Sequence, residues 1–329
     1  MPRTRLIAGR LAAAALVCAL AACAPRVQPS GPFDRTPQIS ATTLIARDGA
    51  RLPLRIWATE GAPRAAIAAL HGFNDYAQAF EDAGRAFAKH GIITYAIDQR
   101  GFGRAPGFGI WAGTDTMIND LSALAEQVQA RHPGVPLYLL GDSMGGAVVM
   151  SALARGVAPR PAGAVLVAPA VWGRKALGPI KSAGLWLSAH TVPWFRATAE
   201  GLGVTPSDNR EMLRRLGRDP LIIKATRIDA IWGLVNLMDE AQAAASRIGV
   251  PVLLLYGTRD EVIPPAPIHA AIASLTSRGG ARVAVYPSGY HMLLRDLQAA
   301  TPIRDIAGWV INPAAPLLSG ADKGAQKQK

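Results

Sequence analysis

The sequence predicts a single α/β domain, with an eight-stranded, mostly parallel sheet flanked by helices and a helical cap inserted after the sixth strand. Half of the 329 residues are apolar and only 18% are charged, which allows a large buried core. Short apolar runs alternate with helical stretches, as in chains that form parallel sheets through right-handed crossovers. Residues 171–248 separate two strands and contain no strand pattern of their own, which is typical of a helical insertion.

The N-terminus has the pattern of an export signal. Three arginines precede an apolar run, 11–22, which has the length of a signal-peptide core and is too short to span a membrane. The run ends in Leu20-Ala21-Ala22-Cys23, which resembles the cleavage box of bacterial lipoproteins. We therefore expect residues 1–22 to be removed as a lipoprotein signal peptide and Cys23 to be lipidated. Cleavage as an ordinary signal peptide near Ala22 or Ala24 is the alternative.

Charge and cysteine content fit a membrane-bound protein. The 35 Lys and Arg exceed the 23 Asp and Glu, which favours an anionic membrane surface, and the basic blocks interleaved with aromatic residues that nucleic-acid binding needs are absent. By resemblance to Gram-negative lipoproteins, Ala24 after the cysteine indicates the cell envelope, at the outer membrane facing the periplasm. With Cys18 in the leader and Cys23 acylated, no thiol is left for a disulfide or a zinc site.

The segments on either side of the domain are predicted from their composition. Residues 23–38 contain the lipidated cysteine and a proline-rich stretch without periodicity, which predicts an extended tether. The folded domain is expected at 39–311. Residues 312–329 are rich in Gly and Lys, and we expect a disordered tail there.

Eight strands and five helices are predicted within the domain. The first two strands bracket Asp48-Gly49 and form an antiparallel hairpin, whereas the later ones alternate with helices and pair in parallel. The strands are expected at 42–46, 52–57, 65–70, 92–97, 136–140, 164–168, 252–256 and 281–286. The helices are expected at 76–89, 116–131, 144–155, 265–277 and 293–299.

The cap at 171–248 contains four of the seven tryptophans of the chain. Open α/β folds bind their ligands at the carboxyl edge of the sheet, which is the edge that this insertion would cover. An apolar cap at that place indicates an apolar substrate. The alternative is that these aromatic residues only pack the cap onto the sheet.

The candidate nucleophile lies in Gly141-Asp142-Ser143-Met144-Gly145-Gly146. A buried-strand run precedes the serine and a small-residue helix follows it, so Ser143 would occupy a sharp strand-to-helix turn. Gly141 and Gly145 form this nucleophile elbow, because side chains there would collide with neighbouring backbone. The serine hydroxyl would face a helix N-terminus, which favours developing negative charge.

A serine hydroxyl needs a base and an orienting acid. Asp260 and His291 lie in the loops directly after the last two strands, at the same carboxyl edge as Ser143, and in the chain order serine, acid, histidine. The remaining histidines lie at helix ends, within a helix, in the cap, or, as His71, in a loop that the imidazole would brace. Glu261 is the competing acid, one residue out of register.

Acyl transfer also needs amide donors for the oxyanion. We expect them from the backbone N–H groups of Met144, directly after the nucleophile, and Phe73, in the His71-Gly72-Phe73-Asn74-Asp75 loop after the third strand. Neither a metal-ligand cluster nor a phosphate-binding glycine loop is recognisable, so no metal and no cofactor are expected.

Residues 39–311 resemble the α/β-hydrolases of the monoacylglycerol lipase and lysophospholipase group, often labelled serine aminopeptidase S33-like. The resemblance depends on four motifs in the right order: 71–75, Asp98-Gln99-Arg100-Gly101-Phe102-Gly103, 141–146, and the Asp260/His291 pair. It implies an α/β-hydrolase fold, with a structural turn at 98–103 where Arg100 braces loops near the site. Asp142 departs from the group, in which histidine is frequent at this position.

Together these features predict a lipid-anchored serine esterase that acts on monoacylglycerols or lysophospholipids. Three alternatives remain: acyl transfer to an alcohol or amine, peptidase activity, and a non-catalytic lipid-binding protein with this fold. Dehalogenase and epoxide hydrolase chemistry is excluded, because it needs an aspartate nucleophile where Ser143 stands. Acyl-chain length, head group and oligomeric state do not follow from the sequence.

Overall fold

A computed structural model describes residues 24–324 apart from Ala158, Ala199, Leu202, Arg278 and Gly279. Residues 1–23 lie outside the described part, and with them the predicted signal peptide and Cys23. The helices that are described include none long and apolar enough to cross a bilayer.

The described chain contains eleven strands, nine of which form one sheet in the order β1-β2-β3-β5-β4-β6-β7-β10-β11. Pairing is antiparallel from β1 to β3 and between β3 and β5, and parallel from β5 onward. The strands are β1 Gln38–Ile39, β2 Thr43–Ile45, β3 Arg51–Trp57, β4 Ala65–Leu70, β5 Ile92–Ile97, β6 Leu137–Asp142, β7 Gly163–Val167, β8 Arg196–Thr198, β9 Ala225–Arg227, β10 Val252–Gly257 and β11 Ala281–Tyr286.

Helices cover both faces of this sheet, which is why its central strands are continuous apolar runs. Leu139 packs in the core beneath α2 and α3, and its neighbour Leu140 packs on the opposite face beneath α1 and α9. The helices are α1 Glu81–Lys89, α2 Thr114–Arg131, α3 Met144–Ala154, α4 Arg174–Leu177, α5 Pro179–Thr191, α6 Arg210–Arg218, α7 Ile228–Ala244, α8 Pro265–Thr276, α9 Ala300–Ile311 and α10 Ala321–Gly324, with short 3₁₀ turns at Ala77–Phe80 and Ala245–Arg247.

The α/β-hydrolase architecture is as predicted, and two details of its secondary structure differ. The sheet has nine strands instead of eight, because the short β1 pairs with β2 at the edge of the sheet. The last long helix is α9, whereas the prediction of a helix at 293–299 was wrong. Backbone amides around that segment bind the cap: Met292 N donates to Pro206 O at 3.0 Å and Leu297 N to Asp208 Oδ1 at 2.8 Å.

The cap at 171–248 follows the predicted insertion point, which is β7 once β1 is counted. It contains α4 to α7, and also the antiparallel pair β8 and β9, whose residues show no strand pattern in the sequence. Each of these strands has only three residues, too few to show an alternation of apolar and polar side chains. The cap covers the carboxyl edge of the sheet.

The predicted disorder of the tail is wrong for residues 312–324. Leu317 is only 5% exposed, and the backbone N–H of Ser319 donates to Asp305 Oδ1 at 3.0 Å. The buried Asp305 also accepts a hydrogen bond from Tyr286 on β11. One apolar side chain and one buried carboxylate therefore hold the tail on the domain. Residues 325–329 lie outside the described part.

The predicted tether also contacts the domain. The backbone of Gln28 donates to Trp111 O at 2.8 Å, and the backbone of Arg26 donates to Asp229 Oδ2 at 3.2 Å. Residues 24–37 are largely irregular and proline-rich, as the composition predicted, but those at 26–28 lie along the domain instead of leaving it as a free spacer.

Candidate active site

Ser143 occupies the turn between β6 and α3 with φ 50° and ψ −112°, a left-handed conformation that is unusual for a residue with a side chain. The two glycines of the elbow make this turn possible. A Cβ on Gly141 would lie 2.4 Å from Gly145 O, and one on Gly145 would lie 2.1 Å from Leu70 O. The turn therefore projects the serine hydroxyl from the carboxyl edge of the sheet while β4 and α3 approach each other closely.

The structure brings together Ser143, His291 and Asp260, which are far apart in the chain. His291 Nε2 lies 3.0 Å from Ser143 Oγ, and His291 Nδ1 lies 2.8 Å from Asp260 Oδ2. Asp260 Oδ1 accepts the backbone N–H groups of Val262 and Ile263 at 2.8 and 2.9 Å. These amides hold the carboxylate with its other oxygen toward the ring, so that Nδ1 carries a proton and Nε2 is free to accept one from Ser143.

The environment of His291 favours its protonated form. Burial alone would lower the pKa of the imidazole, but the hydrogen bond and charge of Asp260, together with the charge of Asp142, outweigh that effect and raise it. An imidazole of this kind takes up a proton readily and stabilises the imidazolium that forms when serine attacks a carbonyl.

Glu261, the competing acid, and His71 have other partners. Glu261 points to the cap, where its Oε2 accepts the backbone N–H of Thr205 at 2.6 Å. His71 is fully buried; its Nε2 accepts the Gln99 N–H at 2.9 Å and its Nδ1 donates to Gly72 O at 2.8 Å. His71 thus fixes the loop that precedes Phe73.

The two expected oxyanion donors flank the serine. Neither the N–H of Phe73 nor that of Met144 has an acceptor within the part of the chain that the structure describes. A Cβ on Gly72 would lie 3.4 Å from Ser143 Cβ, so the Phe73 loop passes directly beside the elbow. The Phe73 ring makes an edge contact with Phe102 at a centroid distance of 5.5 Å and a tilted contact with Trp111 at 6.4 Å.

The turn at 98–103 is structural. Asp98 accepts backbone N–H groups of Ala77 and Arg104, both at 2.9 Å. The buried Arg100 guanidinium is bound by two carboxylates, with 2.7 Å contacts to Asp48 and Asp120. Arg100 thereby joins the β2–β3 hairpin to α2, as a brace behind the site.

A cavity of about 490 Å³ lies between this site and the cap. Ser143 and His291 form part of its polar end, and the rest of the wall is mostly apolar. Cap residues supply most of the apolar wall, chiefly Trp172, Leu177, Leu185, Leu216, Leu234, Val235 and Met238. Trp186, Trp194 and Phe195 are instead exposed on the outer surface of the cap, so the tryptophan content of the cap only partly reflects the cavity.

Three charged residues without a predicted role lie at the polar end of the cavity. Arg295 pairs with Asp75, and both line the cavity together with Asp142. Burial, helped by the like charges of Asp75 and Asp260, outweighs the opposing charges of Arg295 and His291 and raises the pKa of the Asp142 carboxyl to about 6. Asp75 could have been suspected from its place in the 71–75 motif, but Arg295 is 220 positions away and no local pattern links the two.

The parallel sheet, the serine on its strand-to-helix turn and the hydrogen-bonded histidine and aspartate define the class of serine hydrolases with an α/β-hydrolase fold. Within this class, residues 61–298 match the family described as serine aminopeptidase, S33. Because the match covers most of the chain, the chain belongs to this family.

Relatives and solved structures agree with this membership. The chain is 26% identical to a monoacylglycerol lipase of Mycolicibacterium smegmatis (80% of this chain, 94% of the relative) and 26% identical to the monoglyceride lipase of Homo sapiens (81% and 89%). The fold is similar to the crystal structure of the Paleococcus ferrophilus monoacylglycerol lipase, with a TM-score of 0.67 at 22% identity (79% of this chain, 98% of that one). It is also similar to a soluble variant of the Saccharomyces cerevisiae monoglyceride lipase, with a TM-score of 0.69 at 19% identity (87% and 96%).

Proposed function

We propose that this chain hydrolyses carboxylic esters of acyl lipids, with monoacylglycerols or lysophospholipids as substrates. One observation carries the proposal: the hydrogen-bonded side chains of Ser143, His291 and Asp260 lie at the polar end of a cavity whose remaining wall is mostly apolar. The apolar wall suits an acyl chain, and the polar end places the ester carbonyl at the serine. The names of the relatives agree with this class of substrate.

In the acylation step, Ser143 Oγ attacks the ester carbonyl carbon while His291 Nε2 takes the hydroxyl proton. The carbonyl oxygen becomes an oxyanion, which accepts hydrogen bonds from the N–H groups of Phe73 and Met144. Asp260 keeps the imidazole in the tautomer that can accept this proton and stabilises the imidazolium. The C–O bond to the head group then breaks, and His291 returns its proton to the departing alcohol.

Deacylation repeats the same steps with water as the nucleophile. His291 Nε2 removes a proton from water as its oxygen attacks the acyl carbon, and the same two amides hold the second oxyanion. When this tetrahedral intermediate breaks down, the fatty acid is released and His291 returns the proton to Ser143. Every proton is accounted for by the serine, the histidine and the substrates, so the reaction needs no further group.

The proposal is tested with p-nitrophenyl esters from acetate to palmitate, using the mature wild-type chain and Ser143→Ala. We expect activity to be greatest on medium or long chains and to fall by up to about 10⁶-fold in the variant. A Ser143→Ala protein with near-wild-type turnover would overturn the assignment.

Monoacylglycerol and lysophospholipid hydrolysis is measured next, with product analysis in the presence of a competing alcohol. Free fatty acid is the expected product. Acyl transfer to the alcohol as the main reaction would identify a transferase on the same triad, and loss of all Ser143-dependent ester turnover would favour a peptidase or a binding protein.

We also propose that Cys23 is acylated and that the protein is a lipoprotein of the cell envelope, at the outer membrane facing the periplasm. The sequence Leu20-Ala21-Ala22-Cys23 after a short apolar run supports this. The test is the intact mass of the N-terminal peptide from membrane-extracted protein, with Cys23→Ser as control. An unmodified Cys23, or cleavage at another residue, would contradict it.

A further inference from the structure

Residues 26–28, called the strap below, lie against the loop that precedes α2. Gln28 donates from its backbone to Trp111 O at 2.8 Å and from Nε2 to Ile110 O at 2.6 Å, and Val27 pairs with Trp111 as an isolated parallel bridge. A Cβ on Gly107 would lie 2.2 Å from the Gln28 side chain, so this loop closes tightly around the amide. These contacts hold the strap at a defined position on the surface of the domain.

The upstream end of the strap is bound to the cap. Arg26 N donates to Asp229 Oδ2 at 3.2 Å; Asp229 lies in the first turn of α7, and its buried carboxylate also pairs with Arg227. The backbone N–H of Asp229 in turn donates to Pro193 O at 3.2 Å. Asp229 therefore connects Arg26, the first residue of the strap, to the turn at 192–195, because it forms hydrogen bonds with both.

That turn belongs to an exposed apolar surface of the cap, called the aromatic face below. It comprises Ile180, Trp186, Leu187, Val192, Trp194 and Phe195. Trp194 and Phe195 are 52% and 61% exposed. Six of the eleven large apolar side chains that are exposed in the described residues lie in this one segment, on α5 and the turn that follows it, and such a concentration marks an interaction site rather than random exposure.

The aromatic face suits a phospholipid surface. Tryptophan and phenylalanine enter the boundary between head groups and acyl chains, and exposed cations such as Lys175 and Arg196, near the two ends of this surface, attract anionic head groups. Helix α5 carries the face on its outer side, while its Leu185 lines the cavity on the inner side. A membrane in contact with the face would therefore be one helix away from the substrate cavity.

The covalent link between Cys23 and the strap is short. Only Ala24 and Pro25 separate Cys23 from Arg26, and the three residue-to-residue steps of this link span at most about 11 Å when fully extended. Resting on the lipidation proposed above, we propose that the strap seats the acylated Cys23 beside the 192–195 turn, so that its acyl chains and the aromatic face enter the same leaflet. The anchor then sets the orientation of the enzyme, with the cap on the membrane, as well as its attachment.

The test uses the acylated full chain in vesicles of phosphatidylethanolamine and phosphatidylglycerol that contain a lipid-borne quencher. An environment-sensitive fluorophore is attached at Thr191→Cys, next to the turn, or at Leu318→Cys, which is 74% exposed on the C-terminal segment. Labelling is specific because the only native cysteines are Cys18, in the leader, and the acylated Cys23. We expect quenching at position 191 to be several-fold stronger than at 318.

Two insertion variants separate the strap from simple tethering. A flexible Gly/Ser linker of about twelve residues, with a root-mean-square span of about 20 Å, is placed either between Ala24 and Pro25 or between Ser30 and Gly31. The first position loosens the link between anchor and strap, and the second leaves that link intact. We expect the upstream insert to reduce quenching at 191 several-fold and the downstream insert to leave it near the original value, while both variants retain turnover of a soluble ester.

Equal effects of the two inserts, or equal quenching at 191 and 318 in the original chain, would overturn the inference. Intact-mass analysis of the same samples shows whether Cys23 is acylated, and ester turnover shows whether the enzyme is active. An acylated, active protein without the difference between inserts would contradict the strap alone. An unmodified Cys23 would overturn both the lipoprotein proposal and this inference.

Discussion

Asp260 and Glu261 are adjacent carboxylates with different partners, and they allow a matched test at the level of single residues. Replacing Asp260 by Asn keeps the size of the side chain but removes the charge that holds the His291 tautomer, so we expect kcat to fall by about 10⁴-fold. Glu261→Gln should change kcat little, since that side chain binds Thr205. Ester turnover of both variants, with circular dichroism to verify folding, checks this. Comparable losses would contradict the assignment of the acid.

Asp142 provides a second test at this scale, through pH dependence. Its charge contributes to the raised pKa of His291, and the active enzyme needs a neutral imidazole, so activity falls as the pH drops through that pKa. Asp142→Asn removes the negative charge, which lowers the pKa of His291. In a plot of kcat/KM against pH, the acidic limb should therefore move to lower pH. Asp115→Asn, at an exposed site remote from the histidine, should leave the limb in place. An unshifted or upward-shifted limb in Asp142→Asn would contradict the coupling.

At the level of elements, the close approach of β4 and α3 depends on Gly145. An alanine there would place Cβ within 2.1 Å of Leu70 O, and backbone cannot yield without moving the elbow. We expect Gly145→Ala to lower the free energy of unfolding by about 3 kcal/mol. Gly184→Ala is the control: it lies in α5 with open space around it, so we expect a gain of about 0.5–1 kcal/mol. Urea unfolding measures both, and equal stabilities would contradict the proposed packing.

Elements were predictable from the sequence where the sequence pattern is local. The strand from Leu137 and the helix from Met144 are continuous apolar and small-residue runs, and the loops with Asp260 and His291 directly follow strands, so their common edge could be inferred. β8 and β9 were missed because each is three residues long and exists only through its partner. The 293–299 segment was misassigned because its Leu297 amide binds Asp208 in the cap, a contact between residues 89 positions apart in the chain.

In the whole molecule too, contacts between residues that are remote in sequence could not be predicted. The pairing of Asp75 with Arg295 and the seat of Gln28 on Trp111 each join residues that are remote in sequence, and no composition or spacing rule reports them. Composition predicted a free tether because of its prolines and a disordered tail because of its glycines and lysines. In each case a few specific contacts outweigh that tendency, since a single buried leucine contributes roughly 2 kcal/mol.

The C-terminal segment allows this view of the whole molecule to be tested. Truncation after Asn312 removes the buried Leu317 and takes the Ser319 donors from Asp305, leaving that carboxylate with Tyr286. We expect the free energy of unfolding to fall by about 2–4 kcal/mol, from the lost apolar burial and the lost hydrogen bonds to a buried charge. Truncation after Gly324 keeps all of these contacts and should leave stability unchanged. Both chains are compared with the full one by urea unfolding at neutral pH. If the two truncated proteins are equally stable, the segment contributes nothing to stability and the composition-based prediction of a disordered tail is restored.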